Sequence, residues 1–285
     1  MPKVLLNGKF VEEQDAKISP MDRGFLFGDG IYEVIPCYAQ KPVGLKLHLA
    51  RMNNGLSEIG IRYRADLDEW QDNISQLLKQ FDSPDMGIYI HISRGADIKR
   101  FHAYPDNISP TVFAYAFNIA PSQILDREKA RSFSVTSAQD LRWQRCHIKS
   151  TSLLGNVMHF QQGQDAGTDE VILYNDKKEI TEAAACNVFI VKDDVIYTPP
   201  LDNQKLPGIT RRIILDALEK AGGFDVREQI VPLSALNDCD ELWITSSSKE
   251  IGPVTKIDGR VLGDGKPGPM WLAAQQAYNA YKFLC

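Results

Sequence analysis

The strands and helices predicted for this chain do not alternate regularly, and this constrains its fold more than any other feature. Gly30 to Ile35 is rich in strand-forming residues, and two helices, 48–59 and 66–81, then follow each other directly. Two strands, 86–93 and 110–117, come after them. A parallel βαβ sheet needs a helix between successive strands, and no G-x-G-x-x-G motif follows a strand here. The pattern argues against a dinucleotide-binding domain and indicates an α+β fold.

A break in this pattern divides the chain. Asn118 to Gln123 contains proline, serine and asparagine and separates the first elements from a second series. In that series we predict strands at 132–137, 170–174, 187–191, 195–197 and 241–245, and helices at 152–164, 209–220 and 271–283. We therefore predict a smaller N-terminal domain over residues 1–120 and a larger one over residues 121–285, with a ligand bound between them.

Charge and cysteine content exclude several classes of partner. The net charge of −5 disfavours nucleic acid, and no stretch approaches the ~20 apolar residues of a membrane span. The five cysteines are scattered and lack C-x-x-C spacing, which indicates reduced thiols rather than disulfides or a metal site. We predict a cytoplasmic protein that binds no nucleic acid, no membrane and no metal.

Lys149 is the first candidate for chemistry. It follows Ile148 and lies just before Ser152-Leu153-Leu154-Gly155-Asn156. An amine kept partly neutral by its surroundings is a nucleophile that condenses with aldehydes. Most lysines, however, are solvated surface charges. The residues alone leave both interpretations open.

Glu182 is the second candidate. It precedes Ala183-Ala184-Ala185 and the strand at 187–191, a pattern that indicates a tight site lined by small side chains. A carboxylate beside a pyridine nitrogen keeps the ring protonated, because a nearby anion favours the charged form. The alternative is an ordinary acid at the edge of a strand.

Two segments have the features of a phosphate site. In Leu206-Pro207-Gly208-Ile209-Thr210-Arg211 a glycine turn leads directly into a helix, whose first N–H groups attract anions. Ser246-Ser247-Ser248 adds hydroxyl groups at the end of a strand, and Arg51 adds positive charge. An ordinary helix cap remains the alternative for Gly208.

Taken together, the ordered motifs resemble the fold-type IV pyridoxal-phosphate aminotransferases, and within them most closely the D-amino-acid transaminases. The matching motifs cover almost the whole chain: Asp22-Arg23-Gly24, Phe27 to Val34, His48 to Arg51, Arg142 to Ser150, Leu153 to Asn156, Thr181-Glu182, Asn187-Val188-Phe189, Gly208 to Arg211 and Thr245 to Ser247. The resemblance implies a two-domain α+β fold with a smaller N-terminal domain and a larger, mixed, β-barrel-like C-terminal domain. It implies a homodimer that binds pyridoxal 5'-phosphate and moves an amino group between a D-amino acid, such as D-alanine or D-glutamate, and a 2-oxo acid by a ping-pong mechanism.

The resemblance also assigns roles to residues. Lys149 forms the Schiff base with the cofactor and moves the substrate proton, and Glu182 pairs with the pyridinium nitrogen. The other cofactor contacts that it implies are Arg51, Ile209, Thr210 and Ser247 at the phosphate, Leu206 at the ring face and Arg142 near the ring. Tyr32 and Tyr89 are implied as substrate contacts.

The segment from Arg94 to His102 resembles the loop that binds the substrate carboxylate in D-amino-acid transaminases and reaches into the neighbouring subunit's site. We match Arg100 and His102 to its Arg-x-His pair, although the loop here is one residue longer than the family pattern. An arginine binds a carboxylate through two parallel hydrogen bonds, and a histidine adds another donor. The alternative is a solvated basic loop.

The chain departs from the family at Ala184, Ala185 and Cys186, where serines are frequent, and at Ser247 and Ser248, where threonines are frequent. Four other functions stay open on the same fold: a branched-chain aminotransferase, an (R)-amine transaminase, an aminodeoxychorismate lyase and a binding protein without catalysis.

Overall fold

The computed structural model describes residues 2–285. The chain forms two compact units. The first contains the residues up to Pro121 together with Ile148–Leu153 and Cys285, and the second contains Ser122–His147 and Leu154–Leu284. The domain limits 1–120 and 121–285 stay a prediction.

The first unit is built on one antiparallel sheet. Its strands are β1 (Lys3–Leu6), β2 (Lys9–Glu12), β3 (Gly30–Tyr38), β4 (Lys41–Pro42), β5 (Asp85–Ser93) and β6 (Thr111–Asn118), and its helices are α1 (Arg23–Phe27), α2 (Leu45–Glu58) and α3 (Leu67–Leu78). The strand order is β2-β1-β6-β5-β3-β4. The α-helices α2 and α3 bury their apolar faces, including Met52 and Trp70, against the side of the sheet that carries Ile31, Ile35 and Ile90.

The opposite face of this sheet is aromatic. Side chains alternate along a strand, so Tyr32 of β3 and Tyr89 of β5 point away from the helices. Tyr89 has Tyr32 on one side, with ring centres 5.8 Å apart, and Tyr115 of β6 on the other, at 5.3 Å. Aromatic pairs at such separations stabilise a sheet surface.

The second unit contains a nine-stranded mixed sheet. Its strands are β7 (Phe133–Gln139), β8 (Glu170–Tyr174), β9 (Ile180–Ala183), β10 (Asn187–Lys192), β11 (Val195–Thr198), β12 (Asp225–Glu228), β13 (Glu241–Ser246), β14 (Glu250–Ile257) and β15 (Arg260–Val261), and its helices are α4 (Leu154–Asp165), α5 (Ile209–Ala221) and α6 (Pro269–Tyr281). The order is β12-β11-β10-β13-β14-β7-β8-β9, with β15 beside β14. Since β9 at one end leads through a short turn into β10 near the other, the sheet curls into a half-barrel.

The two sides of the curled sheet have different neighbours. Its apolar residues Val188, Leu242 and Ile244 form one core cluster. The α-helices α5 and α6 pack on each other and on β13 and β14, where Trp243 and Trp271 are fully buried. The carboxylate of Glu241 accepts hydrogen bonds from the N–H groups of Met270 and Trp271 and so caps the start of α6.

Most of the predicted elements are confirmed. The hairpin at Asn7-Gly8 joins β1 and β2 with both residues at positive φ, as a type I′ turn requires. The helices predicted at 48–59, 66–81 and 209–220 are α2, α3 and α5, with ends shifted by a few residues. The mixed α+β class is also confirmed. Within residues 2–285, none of the helices has the length and apolar character needed to cross a bilayer.

Candidate active site

Lys149 lies on a short segment that runs beside β3 in the first unit. The N–H of Tyr32 donates to the carbonyl of Lys149 at 3.1 Å, and the N–H of Thr151 donates to the carbonyl of Gly30 at 2.9 Å. Ile148 is buried in the same core as the helices. These contacts fix the register of the segment, and they place the Nζ atom of Lys149 4.0 Å from the centre of the Tyr32 ring.

Gly28 is required for this close approach. It ends α1 in the left-handed conformation, with φ of 65°. A Cβ atom at this position would lie 2.6 Å from the Oγ atom of Ser152. The carbonyl of Gly28 accepts hydrogen bonds from the hydroxyls of Thr151 at 2.9 Å and Ser152 at 3.0 Å. Any larger residue here would displace the segment that carries Lys149.

A charged cluster lies within the first unit near Lys149. Glu33 is fully buried, and its carboxylate accepts two hydrogen bonds from the Arg51 guanidinium and one close contact from His48 Nδ1, all at 2.7 Å. Burial opposes ionisation of Glu33, but Arg51 and His48 hold its pKa well below the ordinary value. Burial lowers the pKa of His48, and the positive charges of Arg51 and Lys149 lower it further. The Glu33 carboxylate opposes this by raising it. The cluster thus gives Arg51 a fixed orientation.

The aromatic face also carries the predicted substrate contact Tyr89. Its hydroxyl lies 3.1 Å from Nδ1 of His91. Burial, with Tyr32 and Tyr115 nearby, raises the pKa of Tyr89 to about 12. Tyr89 therefore stays protonated at neutral pH and keeps an O–H for donation.

Glu182 lies on β9 of the second unit, and its side chain is almost fully buried. One carboxylate oxygen accepts a hydrogen bond from Arg142 Nη1 at 2.7 Å. The other accepts from Asn187 Nδ2 at 3.2 Å and from the N–H of Leu206 at 2.9 Å. Three donors on two oxygens leave the carboxylate with one orientation.

The Asp140 carboxylate fixes the position of Arg142. Its guanidinium donates from Nε and Nη2 to the Asp140 carboxylate at 3.0 and 2.8 Å, and Thr181 donates to the same carboxylate. Burial opposes ionisation, but Asp140 and Glu182 raise the pKa of Arg142. The structure therefore places Arg142 as the support of Glu182, and direct contact with a cofactor stays a prediction.

Burial raises the pKa of Glu182 to about 7 from its ordinary value of 4.5, while Arg142 opposes this rise. Since the folded protein binds the proton more tightly than the unfolded chain, this group favours folding most below pH 4.5. Its contribution is lost as pH rises to about 7, and the loss is about 3 kcal/mol.

We predict that ligand-free wild-type protein loses about 3 kcal/mol of stability relative to Glu182→Gln between pH 4.5 and 7.5, because glutamine does not titrate. Urea unfolding of both proteins across this range measures the difference. A difference that is constant with pH would contradict the raised pKa.

Two of the predicted phosphate contacts, Ile209 and Thr210, lie at the start of α5, whereas Arg51 lies on α2 and donates to Glu33. Gly208 precedes the helix, and Ile209 and Thr210 form its first turn, where backbone N–H groups have no partner within the helix. A Cβ atom on Gly208 would lie 1.9 Å from the Asn187 side-chain oxygen. Glycine is therefore needed for the helix start to lie against Asn187, which also binds Glu182.

The end of β13 provides a hydroxyl for a ligand. Within residues 2–285, Thr245 Oγ1 is buried without a hydrogen-bond partner. Such an atom costs folding free energy unless a bound group pairs with it. Thr245 lies directly before Ser246 and Ser247 and pairs with Asn187 across the sheet. This hydroxyl is therefore free to pair with a bound group.

Arg100 and His102 are brought together on the aromatic ring of Phe27 in the first unit. The ring centre lies 5.1 Å from the Arg100 guanidinium carbon and 5.4 Å from the centre of the His102 ring. Both side chains are exposed. Although the loop is one residue longer than the family pattern, Arg100 and His102 still lie side by side.

Three of the residues that depart from the family pattern, Ala184, Ala185 and Cys186, form the turn between β9 and β10. Ala184 and Cys186 are buried, and Ala185 is exposed. Cys186 donates its thiol to Glu170, with 3.4 Å between the sulfur and oxygen atoms. Burial raises the pKa of Cys186 to about 12, so the thiol is unreactive at neutral pH.

Sequence reasoning missed several supporting residues: Glu33, Asp140, Asn187 and Thr245 as ligands or partners of the predicted site residues. One of them had a visible signal. Glu33 alternates with Ile31 and Ile35 along a strand, so its side chain points to the same buried face. A charge buried there needs a partner.

Comparison with known proteins gives consistent results. The family model for amino-transferase class IV matches residues 30–257. The chain is 38% identical to a D-alanine aminotransferase of Bacillus licheniformis over 96% of this chain and 95% of that protein. It is 36% identical to one of Staphylococcus haemolyticus over 99% and 98%. A solved branched-chain amino acid aminotransferase of Escherichia coli superimposes with a TM-score of 0.86 at 26% identity, over 99% of this chain and 94% of that one.

Proposed function

Because the chain belongs to the class IV aminotransferases, we propose that it is a D-amino-acid transaminase that acts on a D-amino acid, such as D-alanine, and a 2-oxo acid. The observation that carries this proposal is the similarity to D-alanine aminotransferases along almost the whole chain. The amino donor leaves its amino group on the enzyme and the 2-oxo acid then takes it from that second enzyme form, which implies ping-pong kinetics.

The cofactor we propose is pyridoxal 5'-phosphate. When bound, it supplies an aldehyde that condenses with amines and a protonated ring that withdraws electrons from the substrate α-carbon. The start of α5, the unpaired Thr245 hydroxyl and the buried Glu182 carboxylate fit its phosphate and ring nitrogen. We propose Ile209, Thr210, Ser247 and Arg51 as phosphate ligands and Leu206 at the ring face.

Each unit contributes a distinct chemical task. We propose that Lys149 binds the cofactor covalently and then carries the proton that leaves the substrate α-carbon. Its amine lies over the Tyr32 ring, and the fixed register of Ile148–Leu153 limits where it can reach. Glu182 holds positive charge at the ring nitrogen, and Arg142, Asn187 and the Leu206 N–H keep its carboxylate oriented for that purpose.

Substrate selection is assigned to the first unit. We propose that Arg100 and His102 reach into the neighbouring subunit's site and bind the substrate carboxylate there, and that Tyr32 and Tyr89 also contact the substrate. Anchoring the carboxylate on one side decides which face of the α-carbon presents its hydrogen to Lys149. The stereochemistry therefore follows from the position of the anchor.

Replacing Arg100 with alanine is expected to raise KM for D-alanine and 2-oxoglutarate by about 10- to 100-fold, because a charged, bidentate hydrogen bond is lost. The rate with an amine that lacks a carboxylate should change much less. The matched control is Lys99→Ala, which removes a neighbouring cation that lies over Phe101 rather than Phe27. Equal effects on both types of donor, or equal effects of both substitutions, would remove Arg100 from the carboxylate site.

A substrate panel tests the reaction itself. D-alanine and 2-oxoglutarate should give pyruvate and glutamate in equal amounts. Activity confined to L-leucine would favour a branched-chain enzyme, and activity confined to (R)-amines an (R)-amine transaminase. Pyruvate released from aminodeoxychorismate without an amino acceptor would indicate a lyase.

We further propose a homodimer. Each unit exposes apolar side chains that a second copy would cover: Phe25, Ile98 and Phe101 in the first unit, and Leu154, Val157 and Met158 in the second. Light scattering that gives the mass of a single chain at micromolar concentration would refute this. A cytoplasmic location is proposed from the five free thiols, and fractionation of cells would test it.

A further inference from the structure

The helix α1 presents two side chains to the loop that carries Arg100 and His102. Arg23 and Phe27 are four positions apart, so they lie on the same face of this helix. The trap loop, defined here as residues 97–104, follows β5. At its start, the N–H of Asp97 donates to the carbonyl of Met21 at 3.3 Å. Arg23 and Phe27 contact the middle of the trap loop, at residues 100–102.

Arg23 holds the backbone of the trap loop with its side chain. It is only 3% exposed. Its Nε donates to Asp29 at 2.8 Å, while Nη1 donates to the carbonyl of Phe101 and Nη2 to the carbonyl of His102 at 3.2 Å. A planar guanidinium directs these bonds in fixed directions, so two successive peptide groups are fixed next to Arg100.

Phe27 supports the side chains themselves. Its ring contacts the guanidinium of Arg100 and the imidazole of His102, and Arg23 lies 4.8 Å from the ring centre. Arg23 and Phe27 therefore support the trap loop together. Arg23 fixes the loop backbone, and the Phe27 ring supports the side chains of Arg100 and His102.

Asp29 makes it possible to bury Arg23. Its carboxylate also accepts from Arg94 Nε at 2.7 Å and Nη2 at 2.9 Å. Burial opposes ionisation, but Arg94 and Arg23 together lower the pKa of Asp29. The second arginine donates onward to the carbonyls of Ile59 and Gly60 and lies against the Tyr104 ring, but it does not bind the peptide groups at 101 and 102. Arg94 therefore holds Asp29 from its other side and, through Tyr104, also contacts the trap loop.

We propose that Arg23 is the positioning residue of the carboxylate site and sets the geometry in which Arg100 and His102 meet the substrate. This rests on the proposed function of these two residues. Within one chain, the middle of the trap loop is exposed, with Ile98 at 96% and Phe101 at 54%. A loop without the anchor must be ordered when substrate binds, and that entropy cost weakens binding of both substrates.

The test compares the full-length holoenzymes of Arg23→Lys and Arg260→Lys, because Arg260 also donates to a backbone carbonyl, that of Leu236, but lies in the second unit. Lysine keeps the charge beside Asp29 but cannot bind both carbonyls with a rigid fork. We expect Arg23→Lys to raise KM for D-alanine and 2-oxoglutarate about tenfold and to change kcat less than about threefold. Arg260→Lys should leave KM unchanged.

A coupling experiment separates positioning from general damage. In the background Arg100→Ala/His102→Ala, Arg23→Lys should cause no further rise in KM, because the groups that it positions are absent. A tenfold rise that persists in this background overturns the inference, as does an unchanged KM in Arg23→Lys alone. If Arg100→Ala/His102→Ala itself leaves KM unchanged, the proposed carboxylate site fails first.

Phe27→Leu provides an independent variant if Arg23→Lys does not fold. It keeps an apolar side chain but removes the ring face beneath Arg100 and His102. If Phe27→Leu raises KM as Arg23→Lys does, and if this rise disappears in the Arg100→Ala/His102→Ala background, the result supports a joint role of Arg23 and Phe27. A KM equal to that of the wild type would overturn it.

Discussion

Replacing Lys149 with alanine is expected to abolish transamination, with a fall in kcat of at least about 10⁴-fold. The amine at this position is proposed both to bind the cofactor and to carry the substrate proton, and its Nζ atom lies over the Tyr32 ring. The absorbance band of the covalently bound cofactor should also be lost. Steady-state assays with D-alanine and 2-oxoglutarate, together with a spectrum of the purified protein, measure both effects.

The control for this substitution is Lys178→Ala. The Nζ atom of Lys178 lies 4.4 Å from the centre of the Tyr174 ring, a similar local contact in the second unit. Its loss should leave kcat and the absorbance band unchanged. A Lys149→Ala protein that retains the band and more than a few per cent of the activity would show that the nucleophile lies elsewhere.

Glu182→Gln is expected to lower kcat by about 10² to 10³-fold while the protein stays folded. Glutamine keeps an oxygen for Arg142 but cannot hold positive charge at the ring nitrogen. Arg142 remains paired with Asp140, so no buried charge is left without a partner. Rates measured at saturating substrate, with cofactor content determined for each sample, isolate the effect on chemistry.

Glu170→Gln is the matched control, because Glu170 is also a fully buried acid and lies on the adjacent strand. It contacts Cys186 rather than Arg142. Equal losses of kcat in the two variants would assign the effect to burial of a carboxyl group rather than to its position at the ring nitrogen.

The elements that sequence patterns missed have local explanations. The helix α1 is a single turn with a glycine as its second residue, so it shows no helical period. The strand β14 contains Gly252 and Pro253, which normally interrupt a strand, and β12 is mostly exposed and charged. Longer amphipathic elements such as α3 and α5 were predictable because their apolar residues repeat along one face.

The candidate site was predictable only in part. Resemblance gave Lys149, Glu182 and the phosphate segment, since these lie in motifs of characteristic residue types and spacing. The supports of these residues are distant in the chain: Arg142 reaches Glu182 from 40 positions away, and Asp29 reaches Arg94 from 65. Neither the hydrophobic periodicity of the sequence nor the spacing of its polar residues identifies such pairs.

By itself, the sequence determined the type and approximate limits of most elements, because hydrophobic period and turn residues act over a few positions. It also determined which residues could carry chemistry. Only the tertiary structure decided that Ile148–Leu153 joins the first unit and that Arg23 binds the loop carrying Arg100. Strand order and buried hydrogen bonds bring such distant segments together, and their free energy exists only once the chain has folded.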